Sequence, residues 1–186
     1  MKLDCLTLRD VEKVRIWRNN NIESLRTPFF LTEEMQKEFY ENKICNRNSN
    51  CRFWAVRGPS GIDFFGMVGL VNIEWENRLG EISIIIAPNQ RGKGKGTNSI
   101  ELLLDAGFNQ LNLTNIYGEC YTLNENYIKF WDRICGMYNA TKVTLPGRKY
   151  WDGNYYNSLY FNINKYECDQ KWDKSSNGEK GDITHG

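Results

Sequence analysis

Histidine is almost missing. The one imidazole in 186 residues is His185, next to the last residue. Its position excludes Ser-His-Asp, Cys-His and multi-histidine metal mechanisms, because each needs an imidazole held inside a folded site. Acid–base chemistry therefore falls to carboxylates, tyrosines, thiols, backbone groups or water. The six cysteines, at 5, 45, 51, 120, 135 and 168, include no C-x-x-C pair and match no zinc spacing. They read as reduced core thiols of a cytoplasmic protein, and no metal site is expected. No apolar run approaches the ~20 residues that span a bilayer, and Met1-Lys2-Leu3-Asp4 opens no apolar leader, so no membrane partner is expected. An excess of one charge is lacking too. The 24 basic and 23 acidic residues leave a net +1, which counts against a nucleic-acid partner.

What is present is enough chain for one domain with a real core, and clear periodicity along it. Residues 3–8 read as a short strand and 10–20 as a helix with Val11, Val14 and Trp17 on one stripe. Pro28-Phe29-Phe30 breaks it, and Thr32 followed by Glu33 and Glu34 caps a second helix to residue 43 with Met35, Phe39 and Tyr40 inward. Strands follow at 52–57, 63–73 and 80–87, the last rich enough in isoleucine to predict burial on both faces. In a helix over 96–110, Ile100, Leu103, Leu104, Gly107 and Phe108 fall on one face. A strand at 115–121 precedes a helix capped by Asn124, and strands at 138–145 and 155–163 are joined by a loop carrying Gly147, Arg148 and Gly153. The polar stretch 168–186 reads as a disordered tail, leaving a domain of 1–167. The order β-α-α-β-β-β-α-β-α-β-β is a mixed α/β architecture, with a central meander followed by strand–helix–strand crossovers.

Between the third of those middle strands and the amphipathic helix lies Arg91-Gly92-Lys93-Gly94-Lys95-Gly96. Three alternate glycines let backbone N–H groups converge, the helix N-terminus adds partial positive charge, and three basic side chains add full charges. Pyrophosphate is the natural ligand of such a turn. The run fits neither the GxxxxGK[ST] phosphate loop nor the GxGxxG dinucleotide fingerprint, whose third glycine is out of place here.

With its strand Gly80-Glu81-Ile82-Ser83-Ile84-Ile85-Ile86-Ala87-Pro88 and the helix after it, the run resembles the R/Q-x-x-G-x-G/A signature of the GNAT acetyltransferase superfamily, matched by Arg91, Gly94 and Gly96. Asn124-Glu125-Asn126-Tyr127-Ile128-Lys129-Phe130-Trp131, then Gly136-Met137, is similar to that family's N-x-x-A-I-x-x-Y…G-F segment. The likeness covers roughly residues 1–165. It implies six to seven strands in a mixed sheet, splayed between the fourth and fifth, with about four helices. It also implies acetyl-CoA as cofactor, with its pyrophosphate on Arg91, Gly92, Lys93, Gly94, Lys95, Gly96 and Thr97. The pantetheine arm would lie on the backbone of Ile84, Ile85 and Ile86 and on Asn124, beside Trp131. Asn124 equally serves as a plain helix cap, and Trp131 equally as core.

Amine acetylation needs a base for the ammonium proton, donors for the oxyanion and optionally an acid for the leaving thiolate. Glu119, five residues before Asn124, matches the base of the ribosomal-protein alanine acetyltransferases in this superfamily. Glu81 is the second candidate. The family's acid tyrosine falls at position 131, where this chain has tryptophan, whose indole N–H cannot give up its proton at useful pH. Either Tyr127 or Tyr138 replaces it, or the thiolate leaves unassisted. The triplet Trp17-Arg18-Asn19 resembles GNATs that acetylate nucleotide-linked amino sugars or protein N-termini, which makes these residues, with Phe29 and Trp151, candidates for the acceptor pocket. The expected reaction is direct transfer to a small primary amine, first a nucleotide-linked amino sugar and second a protein N-terminal amine or another small amine, by a monomer or homodimer. A non-catalytic acyl-CoA-binding module is the reading from another class.

Overall fold

The structure, a computed structural model, describes residues 1–26 and 28–168. Among them, seven strands form one sheet in the order β1-β2-β3-β4-β5-β7-β6. These are β1 (Lys2–Asp4), β2 (Arg52–Arg57), β3 (Phe64–Glu74), β4 (Leu79–Ile86), β5 (Asn115–Tyr121), β6 (Thr141–Trp151) and β7 (Asn154–Asn164). Four α-helices flank the sheet: α1 (Leu8–Asn19), α2 (Glu33–Phe39), α3 (Lys95–Asp105) and α4 (Glu125–Met137).

Every neighbouring pair is antiparallel except β4 and β5. Those two run parallel and pair only at Leu79–Asn115, Gly80–Ile116 and Glu81–Tyr117. Beyond Glu81 they part, which is the splay the sequence resemblance implies. Successive side chains alternate across the sheet. On one face Val68, Leu70, Ile116 and Phe161 pack with Ile100, Leu103 and Leu104 of α3 and with Trp131 and Ile134 of α4. On the other, Ala55 and Met67 pack with Val11 and Val14 of α1, joined by Trp17, Phe39 and Phe53.

Several local expectations are corrected. The first strand ends at Asp4, because Thr7 and Asp10 cap each other's backbone N–H and start α1 at Leu8. In α2, Met35 is exposed and Gln36 buried, so the apolar face starts at Phe39; the helix then widens into a π turn over Tyr40–Ile44. Ile82, Ile84 and Ile85 are only half-buried, because the splay removes β4's neighbour on that side. Tyr138 does not open a strand but ends α4, its N–H bonded to Ile134 O. β6 does not stop at 145. It takes up Pro146-Gly147-Arg148 as an irregularity between Leu145 and Lys149 and turns at Asp152-Gly153, both at positive φ (46° and 78°). The expected tail lies outside the described residues except for Cys168. That thiol is buried in the main core and directed at Tyr138 O (3.3 Å), so the packed domain includes it.

Candidate active site

The splay opens into a cleft of about 550 Å³. One wall is Ile84, Ile85 and Ile86 of β4, the floor is the glycine turn, and α4 supplies Tyr127, Phe130 and Trp131. Arg18, Asn21 and Leu25 close the opposite side. Gly92 and Gly94 sit at φ 72° and 73°, and a Cβ on either would meet no atom within 4 Å. Their glycine requirement is therefore conformational, and the turn presents bare backbone to the cleft. Gly94 is the N-cap of α3, which leaves the N–H groups at the helix start directed at the same place. Gly96 differs: its Cβ would stand 3.2 Å from Phe130 Cε2, so it is glycine to let α3 and α4 approach. Arg91, Lys129 and Arg133 line the cleft, and Arg133 donates to Thr97 Oγ1 (2.8 Å). An array of backbone donors ringed by cations fits the pyrophosphate of acetyl-CoA. Asn124 does two things: its Oδ1 caps Tyr127 N (3.3 Å), and its Nδ2 reaches Ser24 Oγ (3.1 Å) across the cleft.

Where β4 and β5 part, two carboxylates converge. Glu81 and Glu119 have side chains only 9% and 6% exposed, and both are bonded to one guanidinium, that of Arg26. Arg26 NH2 contacts Glu81 Oε1, its NH1 lies 3.3 Å from Oε2, and NH2 lies 3.5 Å from Glu119 Oε2. Glu81 also accepts from Asn72 Nδ2 (2.9 Å). Glu119 accepts from Ser158 Oγ (2.7 Å) and Arg148 Nε (3.1 Å). Burial pushes the Glu119 carboxyl up, but these hydrogen bonds and the arginine charges outweigh it and hold it below the ordinary glutamate value. The Arg26 guanidinium is held above its ordinary value, chiefly by its bond to Glu81. The segment carrying Arg26 is pinned by Asn21 Nδ2 to Tyr127 Oη (2.7 Å), by Ser24 to Asn124, and by Lys149 Nζ on Leu25 O.

Residues 1–135 match the acetyltransferase (GNAT) domain family. The spermidine N(1)-acetyltransferase of Vibrio cholerae is 33% identical over 140 residues, 71% of this chain and 78% of that protein. The chain belongs to the GNAT acetyltransferase family. The Escherichia coli K12 spermidine N(1)-acetyltransferase is 38% identical over 69 residues, 37% of each chain. A crystal structure of Vibrio cholerae spermidine N-acetyltransferase in complex with CoA and spermine superposes with a TM-score of 0.77 at 25% identity, covering 89% of this chain and 96% of that one. This GNAT enzyme is an acetyl-CoA-dependent N-acetyltransferase.

The GNAT fold brings Ile84, Ile85, Ile86, Arg91, Gly92, Gly94, Gly96, Thr97, Asn124, Trp131 and Arg18 together at the cleft. Trp131 is also core, stacked on Phe161 at 4.5 Å. Other candidates lie elsewhere. Lys93 is exposed beside the cleft lining, and Lys95 turns away to lie over the Phe65 ring at 4.6 Å. Tyr138 is a buried core residue whose phenol burial pushes up to about 12, which suits it neither in place nor in acidity. Tyr127, the other candidate acid, lines the cleft. Trp17 stacks on Phe64 of β3 (5.6 Å), and Asn19 exchanges hydrogen bonds with both backbone groups of Leu31 (2.9 Å each), so Trp17 packs α1 on the sheet and Asn19 anchors the segment after α1. Phe29 is exposed outside the cleft lining. Trp151 lies 5.5 Å from Lys149 Nζ, as does Tyr121, sandwiching that buried ammonium. Sequence reasoning missed Arg26, Arg148 and Lys149. Each acts through long-range contact, and an isolated arginine in a loop carries no periodic signal.

Proposed function

We propose that the acceptor is an aliphatic polyamine such as spermidine, acetylated by direct transfer. The observation that carries this reading is the convergence of Glu81 and Glu119 on one cation at the mouth of the splay. Two nearly buried carboxylates need a positive partner, and a protonated amine answers the same need as a guanidinium. The named activity of the curated relatives supports the same choice. A nucleotide-linked amino sugar loses its support, since Trp17 and Asn19 of the triplet that suggested it are engaged in packing and loop anchoring.

Acetyl-CoA supplies the acetyl group as an activated thioester. The chain's own residues do the rest. Gly92, Gly94 and the start of α3 offer backbone donors to phosphate, and Arg91, Lys129 and Arg133 add charge around them. Glu119, held anionic by Ser158 and Arg148, binds and orients the acceptor's positive charge. Its lowered pKa makes it a poor proton acceptor, and the base is assigned by position to Glu81, at the last paired residue before β4 and β5 part. Tyr127 Oη, at the cleft and accepting from Asn21, is the proton donor. Cys120 and Cys135, pushed up to about 12 and about 11 by burial, are unsuited to carry an acyl group. We place the protein in the cytoplasm, a compartment that keeps exposed thiols such as Cys5 and Cys45 reduced.

The test follows free thiol released from acetyl-CoA with spermidine, spermine, a nucleotide-linked amino sugar and an N-terminal peptide as acceptors. Turnover with the polyamines is expected. Turnover with the sugar alone would sink the polyamine reading. Acetyl-CoA binding without turnover on any amine would favour the non-catalytic module.

A further inference from the structure

We propose that Arg26 is a resident competitor for the acceptor's ammonium, so that acceptor binding is an exchange of one cation for another between Glu81 and Glu119. The inference rests on reading that pair as the ammonium subsite.

The asymmetry of the cluster points this way. Both carboxylates are nearly buried, whereas the Arg26 side chain is 52% exposed. The carboxylates are fixed from the sheet, Glu81 by Asn72 and Glu119 by Ser158 and Arg148. Arg26 is held less directly, its segment being anchored at Asn21, Ser24 and Leu25. Its guanidinium bonds run to these two carboxylates, with Tyr121 as a further partner, and its backbone belongs to a connecting segment rather than to a strand or helix. Arg148 is as exposed as Arg26 (53% and 52%), but Arg148 is carried by β6 and Arg26 by a connecting segment, which makes Arg26 the member of the cluster placed to return to water. Its departure alone would strand two buried anions, a costly state. Its replacement by an incoming ammonium keeps the count of charges constant.

The exchange has a consequence for specificity. Arg148 stays on Glu119 when Arg26 leaves, so Glu81 carries most of the unmet negative charge. A cation that displaces a guanidinium bonded to both oxygens of Glu81 must be strongly favoured by its surroundings. An amine bearing further positive charges is favoured over a single weakly basic one, because each added charge strengthens attraction to the pair. Arg26 therefore acts as a charge filter. Its occupancy of the subsite reduces apparent acceptor affinity by the fraction of molecules in which the subsite is free.

Steady-state kinetics of Arg26→Gln with spermidine and with a simple monoamine tests this, with Arg26→Lys as the variant that keeps a competing cation. The expected result is a fall of about tenfold in the KM for spermidine in Arg26→Gln, with a proportionally larger gain for the monoamine and Arg26→Lys near wild type. Calorimetric acetyl-CoA binding reports that each variant is folded. A raised or unchanged spermidine KM in a folded Arg26→Gln overturns the competitor role, and Arg26 is then a positioning residue. If the wild type turns over no polyamine, the proposed acceptor fails instead, and the two failures are told apart by the wild-type assay alone.

Discussion

Ser158 Oγ lies 2.7 Å from Oε1 of Glu119, reaching it from the strand paired antiparallel with β5. The bond helps hold Glu119 below the ordinary glutamate value, so the folded state is favoured while the carboxyl is ionised. The stability it contributes is present above the unfolded-state value and is lost as pH falls through the lower, folded one. Ser158→Ala removes one of the lowering bonds. Because the onset sits at the unfolded-state value in both proteins, the mutant midpoint is expected to lie below wild type at neutral pH and the gap to narrow as pH falls through the folded wild-type value.

Gly94→Val puts a β-branched residue at φ 73°, a conformation that costs a non-glycine residue about 1–2 kcal/mol. Relief of that strain would turn the N-cap of α3 away from the cleft. Calorimetry is expected to show acetyl-CoA binding weakened at least ~tenfold, with the acceptor KM much less affected. Unchanged cofactor affinity would place the phosphate site elsewhere.

Tyr127→Phe keeps the ring and deletes the hydroxyl that Asn21 donates to. As a lost proton donor it is expected to lower kcat by about 10²-fold while leaving acetyl-CoA affinity near wild type. A kcat within twofold of wild type would mean that the thiolate leaves unassisted.

Lys149→Met removes the ammonium bonded to Leu25 O and packed between Tyr121 and Trp151. Leaving that carbonyl without its partner costs about 1–3 kcal/mol. Differential scanning calorimetry should show a lower midpoint, and the acceptor KM should rise more than the acetyl-CoA dissociation constant, because Leu25 borders the acceptor side.

The donor half was legible in the sequence because it is local. Six consecutive residues, the strand before them and the helix after them contain the whole turn, and Asn124 opens the next helix with its capping role visible. Even there, Lys95 reads as a phosphate ligand because composition does not say which way a side chain leaves a turn. The acceptor half is assembled from residues far apart in the chain. Arg26 meets Glu81 and Glu119 only because the loop after α1 is folded back over the splay, and Lys149 reaches Leu25 across 124 positions. Phe29 and Trp151 read as pocket walls because they are aromatic, and Trp17 because of its place in the Trp17-Arg18-Asn19 triplet. Of these, Trp17 is spent in packing against Phe64 and Trp151 in stacking on Lys149. Tyr138 reads from sequence as the start of the next strand, because a helix that ends in Gly136-Met137 looks finished before its last cap residue.

The three residue pairs that join β4 to β5 are also the seam of the molecule. On one side of it lie β1 to β4, on the other β5, β7 and β6, and past Glu81 side chains join them, as Arg26 does on Glu81 and Glu119 and Arg133 on Thr97. A ligand seated in the cleft touches both halves and works as a structural rivet as well as a reactant. Saturating acetyl-CoA at 100 times its dissociation constant should therefore add about 2.7 kcal/mol to global stability. It should slow amide exchange most at Ile84 to Ile86 and at Gly118 to Tyr121, the strand edges that face each other across the seam.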